Sequence, residues 1–105
     1  MNWLYTIKKG EELRKYISKA TTSKEEAEIV SIMRECCKEV MNRFKNNEDI
    51  LYDFETLYEL MDGEAELILD GECEEIGFDK AEDLINARLN ELYDICDKNS
   101  IFVGL

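Results

Sequence analysis

Across 105 residues, 25 Asp or Glu oppose 13 Lys or Arg for a formal net charge of −12, which argues against direct nucleic-acid binding because the field repels phosphate at long range. The 45% apolar content is too high for a disordered acidic tail, and the length suits one domain over residues 1–105 with a single core. The chain has no histidine, which excludes Ser-His and Cys-His nucleophile pairs, and no proline and only five glycines, which favours helix over strand-rich folds.

Residues 1–7 lack the basic flank and apolar length of a signal peptide, and no stretch approaches the ~18 apolar residues of a membrane span. The expectation is a soluble, cytoplasmic protein with no membrane association. Cys36, Cys37, Cys73 and Cys96 follow neither a disulfide framework nor a zinc-site spacing, and two of them are neighbours that point about 100° apart on a helix. They read as reduced, buried or half-buried thiols, with no metal and no cofactor.

In chain order, residues 3–7 suit a short strand or an irregular lead-in, broken by Lys8, Lys9 and Gly10. From Glu11, the spacing of Leu13, Tyr16, Ile17 and Ala20 predicts a short first helix, with Lys15 and Lys19 suited to the negative end of its dipole. Thr21, Thr22 and Ser23 separate it from a second helix, for which Ser23 and Glu26 form the pattern of a capping box. The apolar face of that helix is Ala27, Val30, Met33, Cys37, Val40, Met41 and Phe44, and it reaches about Lys45.

Asn46 or Asn47 caps a third helix, which carries Ile50, Phe54, Leu57, Tyr58, Met61, Ala65, Ile68 and Leu69 at helical spacing. Gly63 interrupts it at a cost of about 1 kcal/mol, and residues 66–70 also alternate as a short strand would. The reading favours helix through Leu60 and leaves residues 64–70 open. Residues 70–77 form a loop by their glycines and charges. Asp79, with Glu82 as its box partner, then opens a last helix containing Ala81, Leu84, Ile85, Arg88, Leu89, Leu92, Tyr93, Ile95 and Cys96. Asn99 and Ser100 end it. Residues 101–103 are apolar enough to dock on the core or to pair with residues 3–7 as a two-stranded edge. The expected fold is mostly α: a small bundle of three or four helices, with that pairing of the terminal segments as an optional addition.

Charge is distributed unevenly along this framework. Residues 48–97 hold 18 carboxylates against Lys80 and Arg88 alone, a formal −16, whereas residues 1–47 carry +3. If residues 48–70 are helical, Glu55, Glu59, Asp62, Glu66 and Asp70 fall three or four apart on one stripe away from the apolar face, roughly 5–6 Å from one to the next. Like charges at that spacing each cost a few tenths of a kcal/mol. Such a row can stand in for the phosphates of a nucleic acid and attract a groove lined with Lys and Arg.

In size, acidity and helical content the chain resembles phage-type inhibitors that mimic DNA to block CRISPR or restriction nucleases. The resemblance is one of charge pattern in residues 48–97 and matches no family motif. It implies a non-enzymatic inhibitor whose partner is a protein with a basic, nucleic-acid-binding surface. The candidate partner-binding carboxylates come from the pattern itself: Glu55, Glu59, Asp62, Glu66, Asp70, Glu72, Glu74, Glu75, Glu91 and Asp94.

Other readings stand beside it. The acids can be a solvated face on a helical adaptor, immunity or regulatory protein that binds through an apolar surface. Trp3, Tyr5, Tyr52, Tyr58 and Phe102 suit either core packing or an interface cluster. The basic residues Lys8, Lys9, Arg14, Lys15 and Lys19 balance the acidic half, within the fold or between subunits of a homodimer. Residues 70–82 fail as a calcium loop, because Glu75 and Ala81 stand where an EF-hand needs glycine and its bidentate glutamate. The pairs Glu72/Glu75 and Glu91/Asp94 resemble the E-x-x-E and E-x-x-D motifs of all-α, Mg-dependent nucleotide pyrophosphohydrolases of the MazG type. That likeness covers only these four residues, the first pair lying in the loop.

Overall fold

In a computed structural model, residues 10–99 and 101 are described. Among these residues four α-helices follow one another: α1 Gly10–Lys19, α2 Ser23–Arg43, α3 Glu48–Asp70 and α4 Ala81–Lys98, with a 3-10 turn, Cys73–Ile76, between α3 and α4. No strand occurs among the described residues. The four-residue turn between α2 and α3 makes them an αα-hairpin, the most extensive pairing in the fold. Helix α4 lies against both members of the hairpin, and α1 packs on α4 and α2. The bundle is the expected one. The terminal pairing of residues 3–7 with 101–103 lies outside the described residues except at Ile101, which is half-buried against the core and donates its N–H to the Cys96 carbonyl at 2.9 Å.

Capping follows local chemistry with two shifts of register. Thr22, not Ser23, caps α2: its extended backbone lets the hydroxyl oxygen accept from the Glu25 N–H at 3.2 Å. The Glu25 carboxylate in turn accepts from the Thr22 hydroxyl at 3.0 Å and the Thr21 hydroxyl at 3.2 Å. Ser23 is already inside the helix, which moves the whole motif one residue earlier. Asn47 caps α3 by accepting from Ile50 N–H at 3.2 Å. The expected Asp79–Glu82 box does not form, because Lys80 occupies the cap position of α4 and makes no side-chain cap bond.

Helix α3 runs without a break through Gly63 to Asp70, so residues 64–70 are helical. Its inward row, Ile50, Phe54, Leu57, Met61, Glu64 and Ile68, continues on both sides of the glycine. Burying Met61 and Ile68 contributes about 1.5–3 kcal/mol each, which outweighs the propensity cost of one glycine. The helix ends where Gly71 adopts φ 73°, a left-handed conformation that glycine accepts without a Cβ clash. There the Gly71 N–H reaches the Ile68 carbonyl and the Glu72 N–H the Leu67 carbonyl, a Schellman closure.

The core gathers Phe54, Met33, Met61, Leu84, Ile85, Leu89 and Leu92 from three helices. Because α2 is covered by the three other described helices, its buried face is wider than one stripe and takes in Ile29 and Cys36 as well. Two expected core residues stand outside: Tyr16 is 64% exposed and Leu69 53% exposed. In each case the adjacent isoleucine, Ile17 or Ile68, holds the inward position. All four cysteines are free and buried. No helix among the described residues is long and apolar enough to cross a membrane.

Candidate partner-binding surface

The 23 residues of α3 include nine Asp or Glu and no Lys or Arg. Glu55, Glu59, Asp62, Glu66 and Asp70 are all exposed. At ~100° per residue they fall within an arc of about 80°, roughly opposite the buried row. The unbroken helix therefore keeps the stripe whole. Beyond its end, Glu72, Glu74 and Glu75 are exposed on the loop and 3-10 turn, and Asp94 is exposed on α4.

Two of the ten candidate carboxylates are engaged within the chain. Asp62 lies 3.1 Å from Nη2 of Arg34 on α2, whose guanidinium carbon stands 4.4 Å from the ring centroid of the half-buried Tyr58. Glu91 is only half-exposed and accepts from Nη1 of Arg88 at 2.8 Å. Glu55, Glu59, Glu66, Asp70, Glu72, Glu74, Glu75 and Asp94 form no ion pair with any described residue.

A buried ion pair also links α3 to α4. Arg88 donates from Nε to Oε1 of Glu64 at 2.7 Å and from Nη2 to Oε2 at 2.5 Å, with Glu64 only 4% exposed. The Glu64 hydrogen bonds hold the Arg88 guanidinium above its ordinary pKa, against the opposing pull of burial. Phe78 covers the same guanidinium, its ring centroid 5.7 Å away. A signal for the pair does exist in the sequence, since Glu64 and Arg88 each sit at a core-facing spacing among apolar residues. At the far end of α3, Asp53 accepts from Lys98 at 3.3 Å and Asn99 at 3.2 Å. The Asn99 bond, more than the lysine, holds its carboxyl below the usual range despite the opposing effect of burial.

An open cavity of about 190 Å³ lies where α2 and α4 begin, lined by Ser23, Glu26, Ile68, Gly71, Cys73, Glu74, Asp79 and Ala81. Burial there pushes the Glu26 carboxyl up, assisted by repulsion from Glu82 and Glu25. Burial likewise raises the Cys36 thiol to about 12 and the Cys96 thiol to about 11, and it also raises Cys37 and Cys73. These are thiols suited to packing and not to nucleophilic chemistry. Among the described residues no group of three or more His, Cys, Asp or Glu comes together as a metal site. Comparison of the chain with protein-family models, curated proteins and solved structures found no match.

Proposed function

We propose that the protein is a non-enzymatic inhibitor whose carboxylate face occupies the basic nucleic-acid-binding groove of a partner protein, with a CRISPR or restriction nuclease as the kind of target. The observation that carries this reading is the run of exposed acids on α3, uninterrupted by any basic residue over 23 residues of continuous helix. A helix of that length spans about 34 Å, close to one turn of duplex DNA. Its acids then meet a groove built to follow phosphates over the same distance. The free carboxylates Glu55, Glu59, Glu66 and Asp70 form the contact row, Glu72, Glu74 and Glu75 extend it, and Asp94 adds to the field. Asp62 is paired with Arg34, and Glu91 shares Arg88 with Glu64, so these two are restrained within the fold and contribute less.

Salt dependence tests the reading. A partner captured from the native host is expected to bind fast at low ionic strength and much more weakly at high ionic strength. Replacing Glu55, Glu59, Glu66 and Asp70 together by Gln or Asn should weaken both the binding and its salt dependence. An affinity indifferent to salt and to the fourfold variant would overturn it. It would instead favour the adaptor reading, for which the exposed Leu60, Leu69 and Ile76 supply apolar contacts.

A further inference from the structure

Helix α3 already holds one guanidinium, that of Arg34 in its contact with α2, and the way it does so identifies a second place for one. Arg34 lies over the Tyr58 ring at 4.4 Å while its Nη2 meets Asp62 at 3.1 Å, so an aromatic face and a carboxylate one turn further along share a single cation. A planar guanidinium can stack on a ring while presenting its N–H edge to an acid, and it does so at a lower desolvation cost than a compact, strongly hydrated ammonium. The same pair of groups recurs at the start of the helix. Tyr52 is 72% exposed, with Glu48 one turn before it and Glu55 one turn after it, both exposed. Side chains at these spacings are neighbours on a helix surface, ~5–6 Å apart. No cation among the described residues lies over Tyr52.

We infer that Tyr52, Glu48 and Glu55 form a subsite for an arginine side chain of the partner. The inference rests on the acidic-surface reading and deepens it, because it states which basic residue the surface selects. The large exposed area of Tyr52 supports it, since a tyrosine flanked by free carboxylates offers an arginine-rich surface both stacking and charge complementarity.

The test compares an oligoarginine with an oligolysine peptide of equal length, titrated calorimetrically into the full chain. Three variants accompany it: Tyr52→Ala, Tyr52→Phe, and the fourfold replacement of Glu55, Glu59, Glu66 and Asp70. Circular dichroism checks that each retains its helix. The expected result is a preference for oligoarginine that drops by about two- to fivefold in Tyr52→Ala, the range of an exposed cation–π contact, and persists in Tyr52→Phe. If both peptides bind in a salt-dependent manner that the fourfold variant weakens, but Tyr52→Ala leaves the arginine preference unchanged, the subsite is overturned and the acidic-surface reading stands. If neither peptide binds, or the fourfold variant binds as well as the parent, both fall.

Discussion

Arg88 closes on both carboxylate oxygens of Glu64, joining the C-terminal third of α3 to the middle of α4 through a side-chain pair that is 13% and 5% exposed. Removing one partner from a buried pair strands the other charge, whereas replacing both with apolar groups does not. Arg88→Met should therefore cost about 3 kcal/mol, read as a lower urea midpoint at unchanged slope. The double variant Glu64→Leu/Arg88→Met should lie within about 1 kcal/mol of the parent protein. Equal losses in the single and double variants would show that the pair contributes by packing alone.

Gly63 occupies an exposed position inside α3, and a Cβ added there meets nothing within 4 Å. Gly63→Ala should raise stability by about 0.5–1 kcal/mol by removing the entropic cost of glycine in a helix. Thermal denaturation measures it. Because the gain depends on helical backbone at residue 63, a loss of stability would mean that α3 is broken there and that the acidic stripe is split.

Glu26 and Asp53 move stability in opposite directions with pH. The Glu26 carboxyl is raised, so the folded state holds its proton more tightly than the unfolded chain, and its contribution grows as pH falls through the raised value and is lost as pH rises. Glu26→Gln should stabilise the protein at neutral pH by about 0.2–0.5 kcal/mol, the scale of one relieved like-charge contact. The Asp53 carboxyl is lowered, chiefly by Asn99, so its contribution is present above the ordinary carboxylate range and is lost as pH falls through the depressed value. Asn99→Ala should therefore lower stability at neutral pH and narrow that difference under acid conditions. Urea midpoints measured across the acid range distinguish the two.

The cysteines should resist alkylation in the native state. Cys36 and Cys37 are fully enclosed and Cys96 is 3% exposed, while Cys73 at 6% lies nearest the surface. Mass spectrometry after brief iodoacetamide treatment at mildly alkaline pH should show slow labelling, with Cys73 first, and four rapid modifications once urea unfolds the chain. Rapid native labelling of Cys36 or Cys37 would contradict their place in the core.

What the sequence determined by itself was the local part of the protein: three or four helices in order, a cap at Asn46 or Asn47, the loop from Asp70 to Gly77, cysteines that are buried or half-buried, and the acidity of residues 48–97. Those features depend on side-chain period and on groups within a turn of each other, so they can be read along the chain. What only the tertiary structure decided involves residues far apart. Gly63 is carried through because Met61 and Ile68 bury against other helices. Asp62 leaves the free row because Arg34, 28 positions away, reaches it. Glu64 is buried and Glu91 restrained because Arg88 lies between them. Periodicity shows which face of a helix is wet. Which acids on that face remain free for a partner is decided by the cations that neighbouring helices bring alongside.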